Sequence, residues 1–263
     1  MRPTGVVLLL LCQIASGALA QAPQDVGAPQ AAFAGGPIRL SSRAVALLRE
    51  HYQGDKVPQI PQPFRGRLDT ALTGHDWQRV EAVKQQLTDK DGPMPALMWE
   101  QTRFIATGSI GVAEMHALDV AATGSTGLSE TAVMMWFYAA AVTMTDGEKC
   151  VDQSARDAHL DRLRGPAFEP VLQILRTIAD DRLAAMRDLA VRLETVLAQD
   201  RTDDTMCRTG TQRPETRPDA IWRPDAARAR ARLPRDLLAL AAVMRPESSK
   251  SPRAMDSKTA AQR

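Results

Sequence analysis

Between residues 67 and 200 apolar side chains recur at three- and four-residue steps, and short polar turns interrupt them. That spacing places apolar groups on one face of a helix. Leu68, Ala71 and Leu72 predict a short helix before the turn TGHDW, in which Asp76 can cap a second helix carrying Trp77, Val80, Val83 and Leu87. DGP at 91–93 closes that helix. Leu97, Met98, Phe104 and Ile105 mark the next one, and Val112, Met115, Leu118 and Val120 the one after the turn TGSIG. After TGSTG, with Ser125 or Ser129–Glu130 as its cap, comes a helix bearing Val133, Met134, Trp136, Phe137 and residues 140–142. It is apolar on most sides, the pattern of a helix buried all round at the centre of a core. A single long helix is predicted over about 168–200, with Pro170 in its first turn, where proline is tolerated. Its stripe runs from Val171 and Leu172 to Val196 and Leu197, and its charges, Glu194 among them, are expected on a solvated face.

Three of the turns begin Thr-Gly, at Thr73, Thr107 and Thr123, where glycine suits a left-handed residue after a helix end. The first two lie 34 residues apart. The stretch ALTGHDWQRVEAV resembles the inter-helix turn of tetratricopeptide repeats, in which Gly-Asp-aromatic opens the second helix. His75 is an extra residue in that pattern, TGSIGVAEMHA lacks the aromatic, and the third turn follows after only 16 residues. The resemblance covers about residues 66–147. It implies stacked antiparallel helical hairpins and, by analogy, protein binding. The expected fold is therefore all-α, a small bundle or short solenoid of antiparallel hairpins over residues 67–207.

The flanks read differently. MRPTGVVLLLLCQIASGALA has a basic start, an apolar stretch and a small-x-small end, the layout of a signal peptide cleaved after Ala20. Lipid attachment at Cys12 is the rival reading, and Leu11 is too large for it. Residues 21–66 are low in complexity and broken by proline, with a short helix capped at Ser41–Ser42. In the C-terminal segment, 208–263, Pro214, Pro218 and Pro224 predict a semi-stiff spacer and RDLLALAAVMRP a short helix near 234–245. The outermost residues are expected to be disordered or extended. That short helix either docks on the body or engages a partner.

Charge sharpens this division. The net charge of +2 conceals 13 basic and 6 acidic residues in 208–263, against 20 basic and 25 acidic in 1–207. A basic segment on an acidic body favours contact with anionic surfaces or acidic proteins. Trp222 is the single aromatic among those basic residues, so a stacking platform for nucleic acid is not expected. No stretch after the leader is long and apolar enough to span a membrane. Aromatic content of 4% beside abundant Ala, Arg and Asp is compositionally that of a GC-rich bacterial source.

Removal of the leader leaves two cysteines, Cys150 and Cys207, 57 residues apart. An even count in an exported chain predicts one disulfide, with two free thiols the alternative. In DGEKCVD the carboxylates Asp146, Glu148 and Asp152 lack the alternation and terminal bidentate glutamate of a calcium loop, so the segment reads as a helix end fastened by Cys150. None of His51, His75, His116 and His159 pairs at the spacing that puts two metal ligands on one helix face, and no phosphate-binding, nucleotide-binding or nucleophile-elbow motif occurs. The best catalytic candidates are His116 with Asp119, Glu100 and Glu114; DAHLD at 157–161 is a second carboxylate–histidine cluster. No metal, cofactor or catalytic residue is assigned. The expectation is a periplasmic or secreted interaction or scaffold protein of the bacterial envelope. A hydrolase without a recognisable motif, or a secreted factor acting on a host or competitor, is the alternative.

Overall fold

The computed structural model describes residues 60–199, 201, 205–209 and 215–245. The leader with its Ala20 site, the expected helix after Ser41–Ser42 and residues 246–263 lie outside these residues. The described chain is all-helical. Its α-helices are α1 (Gln62–Thr73), α2 (Trp77–Asp91), α3 (Met94–Thr107), α4 (Ile110–Ala122), α5 (Ser129–Asp146), α6 (Ser154–Arg164), α7 (Glu169–Thr177), α8 (Asp180–Leu197) and α9 (Asp219–Met244). No described helix is long and apolar enough to cross a membrane.

The central element is α5. Trp136, Phe137 and Tyr138 are wholly buried, as are the alanines 139–141, and α4, α6, α7, α8 and α9 all pack against it. A helix apolar on every side has no face to offer water, so it becomes the element others cover. Two of its aromatic side chains bond to neighbouring elements through their polar groups. Trp136 Nε1 donates to the Leu163 carbonyl of α6 at 2.9 Å, and Tyr138 OH donates to the Gly108 carbonyl at 2.8 Å. Phe104 of α3 meets the Tyr138 ring edge-on at 4.6 Å.

The Thr-Gly turns are local helix stops. Thr73 and Thr107 donate their hydroxyls to the carbonyls of Asp69 and Arg103, and Thr123 donates to Val120. The hydroxyls of Thr107 and Thr123 also accept from the amides of Ser109 and Ser125. Gly108 and Gly124 take the left-handed conformation as expected, but in the first turn His75 does so instead, at φ 54°, while Gly74 stays at −81°. Asp76 caps α2, accepting from the Arg79 amide at 3.0 Å. Neither Ser125 nor Ser129 caps α5; Leu128 occupies that position without a side-chain bond.

Three boundaries differ from expectation. The first helix begins at Gln62, inside the segment read as proline-broken, because Pro61 and Pro63 fall at its start, where no helical N–H is lost. The long helix over 168–200 is divided: Ile178 and Ala179 are extended between α7 and α8. Arg245, distant in sequence, donates to the Ile178 carbonyl at 3.1 Å and pairs with Asp180, and the acidic pair Asp180–Asp181 suits a fresh helix N-terminus. Finally, the end of the expected spacer, from Asp219 onward, and the short helix near 234–245 are one continuous helix, α9, with Pro224 and Pro234 inside it. Each proline removes one helical hydrogen bond. Burial of Ala226, Ala229, Leu233, Leu237, Leu240 and Ala241 against the body outweighs that loss.

The staple at the end of α5 is present. Cys150 and Cys207 approach at disulfide distance, Sγ to Sγ 2.17 Å, and both are buried. Residues 215–217 lie antiparallel beside 149–151, with the Val151 amide donating to Glu215 O at 3.0 Å and the Arg217 amide to Lys149 O at 2.7 Å. The cross-link thus anchors the entry to α9 as well as the exit of α5. Replacing both cysteines by serine is expected to lower stability by roughly 4 kcal/mol, the chain-entropy value for a loop of this length. Urea midpoints of the two proteins check it; equal midpoints would show that the tail's other contacts carry the fastening alone.

Candidate functional site

The strongest cluster of titratable groups joins α2, α3 and α4. Glu100 and His116 are buried, 0% and 1% exposed, and His116 Nδ1 lies 2.9 Å from Glu100 Oε2. Lys84 of α2 reaches in beside them: its Nζ is 2.9 Å from Glu100 Oε1, contacts Asp119 Oδ2 and is 2.9 Å from Glu81 Oε1. His116 and Asp119 are three residues apart on α4 and so share a helix face. The cluster that the sequence offered as catalytic is therefore brought together, with Lys84 as a member not anticipated. Glu114 is the exception, since two residues of helix turn it away. It pairs with Arg162 of α6, and His159 Nδ1 of the DAHLD segment lies 3.7 Å from it.

The electrostatics follow from enclosure. Burial pushes the Glu100 carboxyl up. Burial and the neighbouring Glu100 carboxyl push Asp119 up to about 7, against the pull of Lys84. Burial lowers His116 to about 4, so the ring is neutral at pH 7. A neutral ring facing a carboxylate carries its proton on Nδ1, and its Nε2 is enclosed without a hydrogen-bond partner. For Lys84 burial works against the charge, yet Glu100 and Asp119 more than offset it and hold the ammonium protonated. A proton retained near neutrality is what general acid–base chemistry requires. Access is the difficulty: Glu100, His116 and Lys84 are all sealed, and only Asp119, with 34% of its side chain exposed, and Glu81 reach solvent.

A second buried network surrounds Arg201. Its guanidinium contacts both oxygens of Asp146, at 2.9 and 3.0 Å, and Glu194 Oε1 at 2.8 Å. It also donates to Tyr138 OH at 3.3 Å. Glu194 further accepts from Thr145 at 2.9 Å and from Arg230 of α9 at 2.6 and 2.8 Å. Burial alone would raise the Asp146 carboxyl; Arg201 and Lys149 overcome it and hold the group below the usual carboxylate range. Gly108 closes against this network at φ +60°, and a Cβ there would lie 2.9 Å from Arg201 Cγ and 3.0 Å from Tyr138 OH. Glu194 is thus wholly buried, where a solvated position was expected.

The carboxylates of DGEKCVD part company. Asp146 faces Arg201, Glu148 pairs with Arg156 and Arg217, and Asp152 accepts from the Ser154 amide at 2.9 Å at the start of α6. Among the described residues no group of three or more His, Cys, Asp and Glu side chains is placed to hold a metal ion. Arg201 and Lys84 were both missed from sequence, although Lys84 stands in the 80, 83, 84, 87 series of buried positions, where an apolar residue is the norm. No protein-family model, no curated protein and no solved structure matches this chain.

Proposed function

We propose that this chain is an exported, non-enzymatic protein of the bacterial envelope that acts by binding another protein. The observation that carries the reading is the enclosure of its chemistry. Glu100, His116, Lys84, Asp146, Glu194 and Arg201 are buried and paired across helices, so their charges lock elements together instead of facing a substrate. The buried cysteine pair suits an oxidising compartment. The short links between α1 and α5 favour antiparallel neighbours, and an array of hairpins in that order presents extended surface rather than a deep cleft.

Because α9 supplies core residues, its removal would uncover the body, and the test keeps it. Expressed in full in a bacterial host, the protein is expected in the periplasmic fraction, starting at Gln21 and with Cys150 and Cys207 unreactive to thiol reagents. Chemical cross-linking in envelope extract should then yield a defined protein adduct. A cytoplasmic, uncleaved product would overturn export. A turnover that Glu100→Gln abolishes while the fold survives would overturn the non-enzymatic reading and favour the hydrolase.

A further inference from the structure

The outward face of α9 combines charge with apolar surface. Ile221, Pro224, Arg228, Ala231, Arg235 and Leu238 follow one another at alternating three- and four-residue steps, and all are exposed. They form one line along a helix of 26 residues, about 39 Å long. The side chains of Arg223, Arg228, Arg232 and Arg235 are each more than half exposed. Their partners are aspartates of the same helix: Asp219 for Arg223 at 2.7 Å, Asp225 for Arg228, and Asp236 for both Arg232 at 3.9 Å and Arg235 at 2.8 Å. Asp225 is also held by Arg217 at 2.7 Å. The arginines therefore outnumber the carboxylates opposite them, and exposed pairs of this kind contribute little. A guanidinium can exchange such a partner for an external oxyanion without cost to the fold.

The apolar part is not explained by the core. Leu233, Leu237 and Leu240 already dock the opposite side of α9 on the body. Ile221 and Leu238, 51% and 39% exposed, face outward in line with the arginines. They stand towards the two ends of the helix with the arginines between them. A protein interface concentrates its energy in a central cluster of large, often aromatic, anchors, and this face has none at its centre. Contact with a polyanion alone would use the arginines and leave the apolar groups idle. A flat, anionic, partly apolar surface uses both.

We propose that this face seats α9 on an anionic lipid surface, the guanidinium groups meeting headgroup phosphates while Ile221 and Leu238 enter the boundary between headgroups and acyl chains. This adds a lipid contact to the protein-binding reading and does not depend on it. The test is cosedimentation of the oxidised chain from Gln21, which keeps every described residue, with vesicles of phosphatidylcholine alone or mixed with phosphatidylglycerol. Binding is expected only to the mixed vesicles and should weaken steeply with added salt. The combined Arg→Gln variant at 223, 228, 232 and 235 should bind at least about tenfold more weakly. Ile221→Ser with Leu238→Ser should weaken binding several-fold, which a purely ionic contact with an acidic protein would not. Coincident circular-dichroism melts establish that these surface variants keep the fold. The proposal is overturned by equal binding to both vesicle types, by no binding to either, by full binding of the Arg→Gln variant, or by indifference to the serine pair.

Discussion

Arg201→Met is expected to destabilise the fold by about 3–5 kcal/mol, the cost of breaking a buried ion pair from one side. The guanidinium is 1% exposed and is shared by Asp146, Glu194 and Tyr138. Methionine fills similar space but neutralises nothing. Asp146 would keep only Lys149, and Glu194 would keep Arg230 and Thr145. Arg201→Lys should fall between the two proteins, because an ammonium restores the charge without the planar fork that spans two carboxylates. The loss also carries a pH signature. Asp146 titrates below its unfolded value, so its contribution is present above about pH 4 and disappears as pH falls through the folded pKa. The gap between wild type and Arg201→Met should accordingly narrow below pH 4. Urea unfolding at pH 7 and pH 3 measures both effects. A difference under about 1 kcal/mol at pH 7 would mean that water replaces the guanidinium and that the network is not sealed.

How far the sequence discloses this protein depends on how local each cause is. The centrality of α5 was readable because Trp136, Phe137 and residues 139–142 leave that helix no polar face. The Asp76 cap and the Thr-Gly stops were readable because their hydrogen bonds close within four residues. The partnership of Cys150 with Cys207 followed from there being two cysteines after the leader. The gap at Ile178–Ala179 was not readable, since its carbonyl partner is Arg245, 67 residues away. Nor was the continuity of α9: local rules place prolines at helix starts, and only the burial of Leu233, Leu237 and Leu240 reverses them. The tetratricopeptide-like spacing of Thr73 and Thr107 has a sufficient local cause, because each threonine bonds back into the helix it ends.

The buried charges were the main omission, and they did leave a signal. Val80, Val83, Lys84 and Leu87 are the buried positions of α2, and Ala190, Leu193, Glu194 and Leu197 those near the end of α8. In both, one charged residue stands where the period demands an apolar one. Such a residue is either an error of register or half of a buried pair. Read in that way, Lys84 and Glu194 each require a partner of opposite sign from another element. Glu100 and Arg201 answer that requirement; with their neighbours, the first pair ties α2, α3 and α4 together and the second α5, α8 and α9.

Lys84→Met should therefore cost about 3–5 kcal/mol at pH 8 and much less at pH 5. With the ammonium gone, Glu100 and Asp119 are two carboxyls in one enclosed space, and burial favours their neutral forms. At pH 5 both can be protonated, and the cluster carries no charge to stabilise. At pH 8 they must either ionise inside the protein or hold protons against the solvent. A carboxyl whose folded pKa is raised binds a proton that the unfolded chain has released, so stability falls as pH rises from the unfolded value, near 4, through the folded one. In the wild type this window for Asp119 runs from about 4 to about 7. His116 opposes it over part of the same range. Its folded value of about 4 lies below the unfolded 6.5, so its contribution rises with pH between those limits. Glu100, raised as well, adds to the fall, so the wild type should slope gently downward above pH 4, and Lys84→Met should slope more steeply downward from pH 5 to pH 8. Unfolding midpoints at these two pH values decide the matter. An equal loss at both would show that Lys84 acts through the packing of its methylene stem, and that Glu100 and Asp119 do not share a proton in the folded protein.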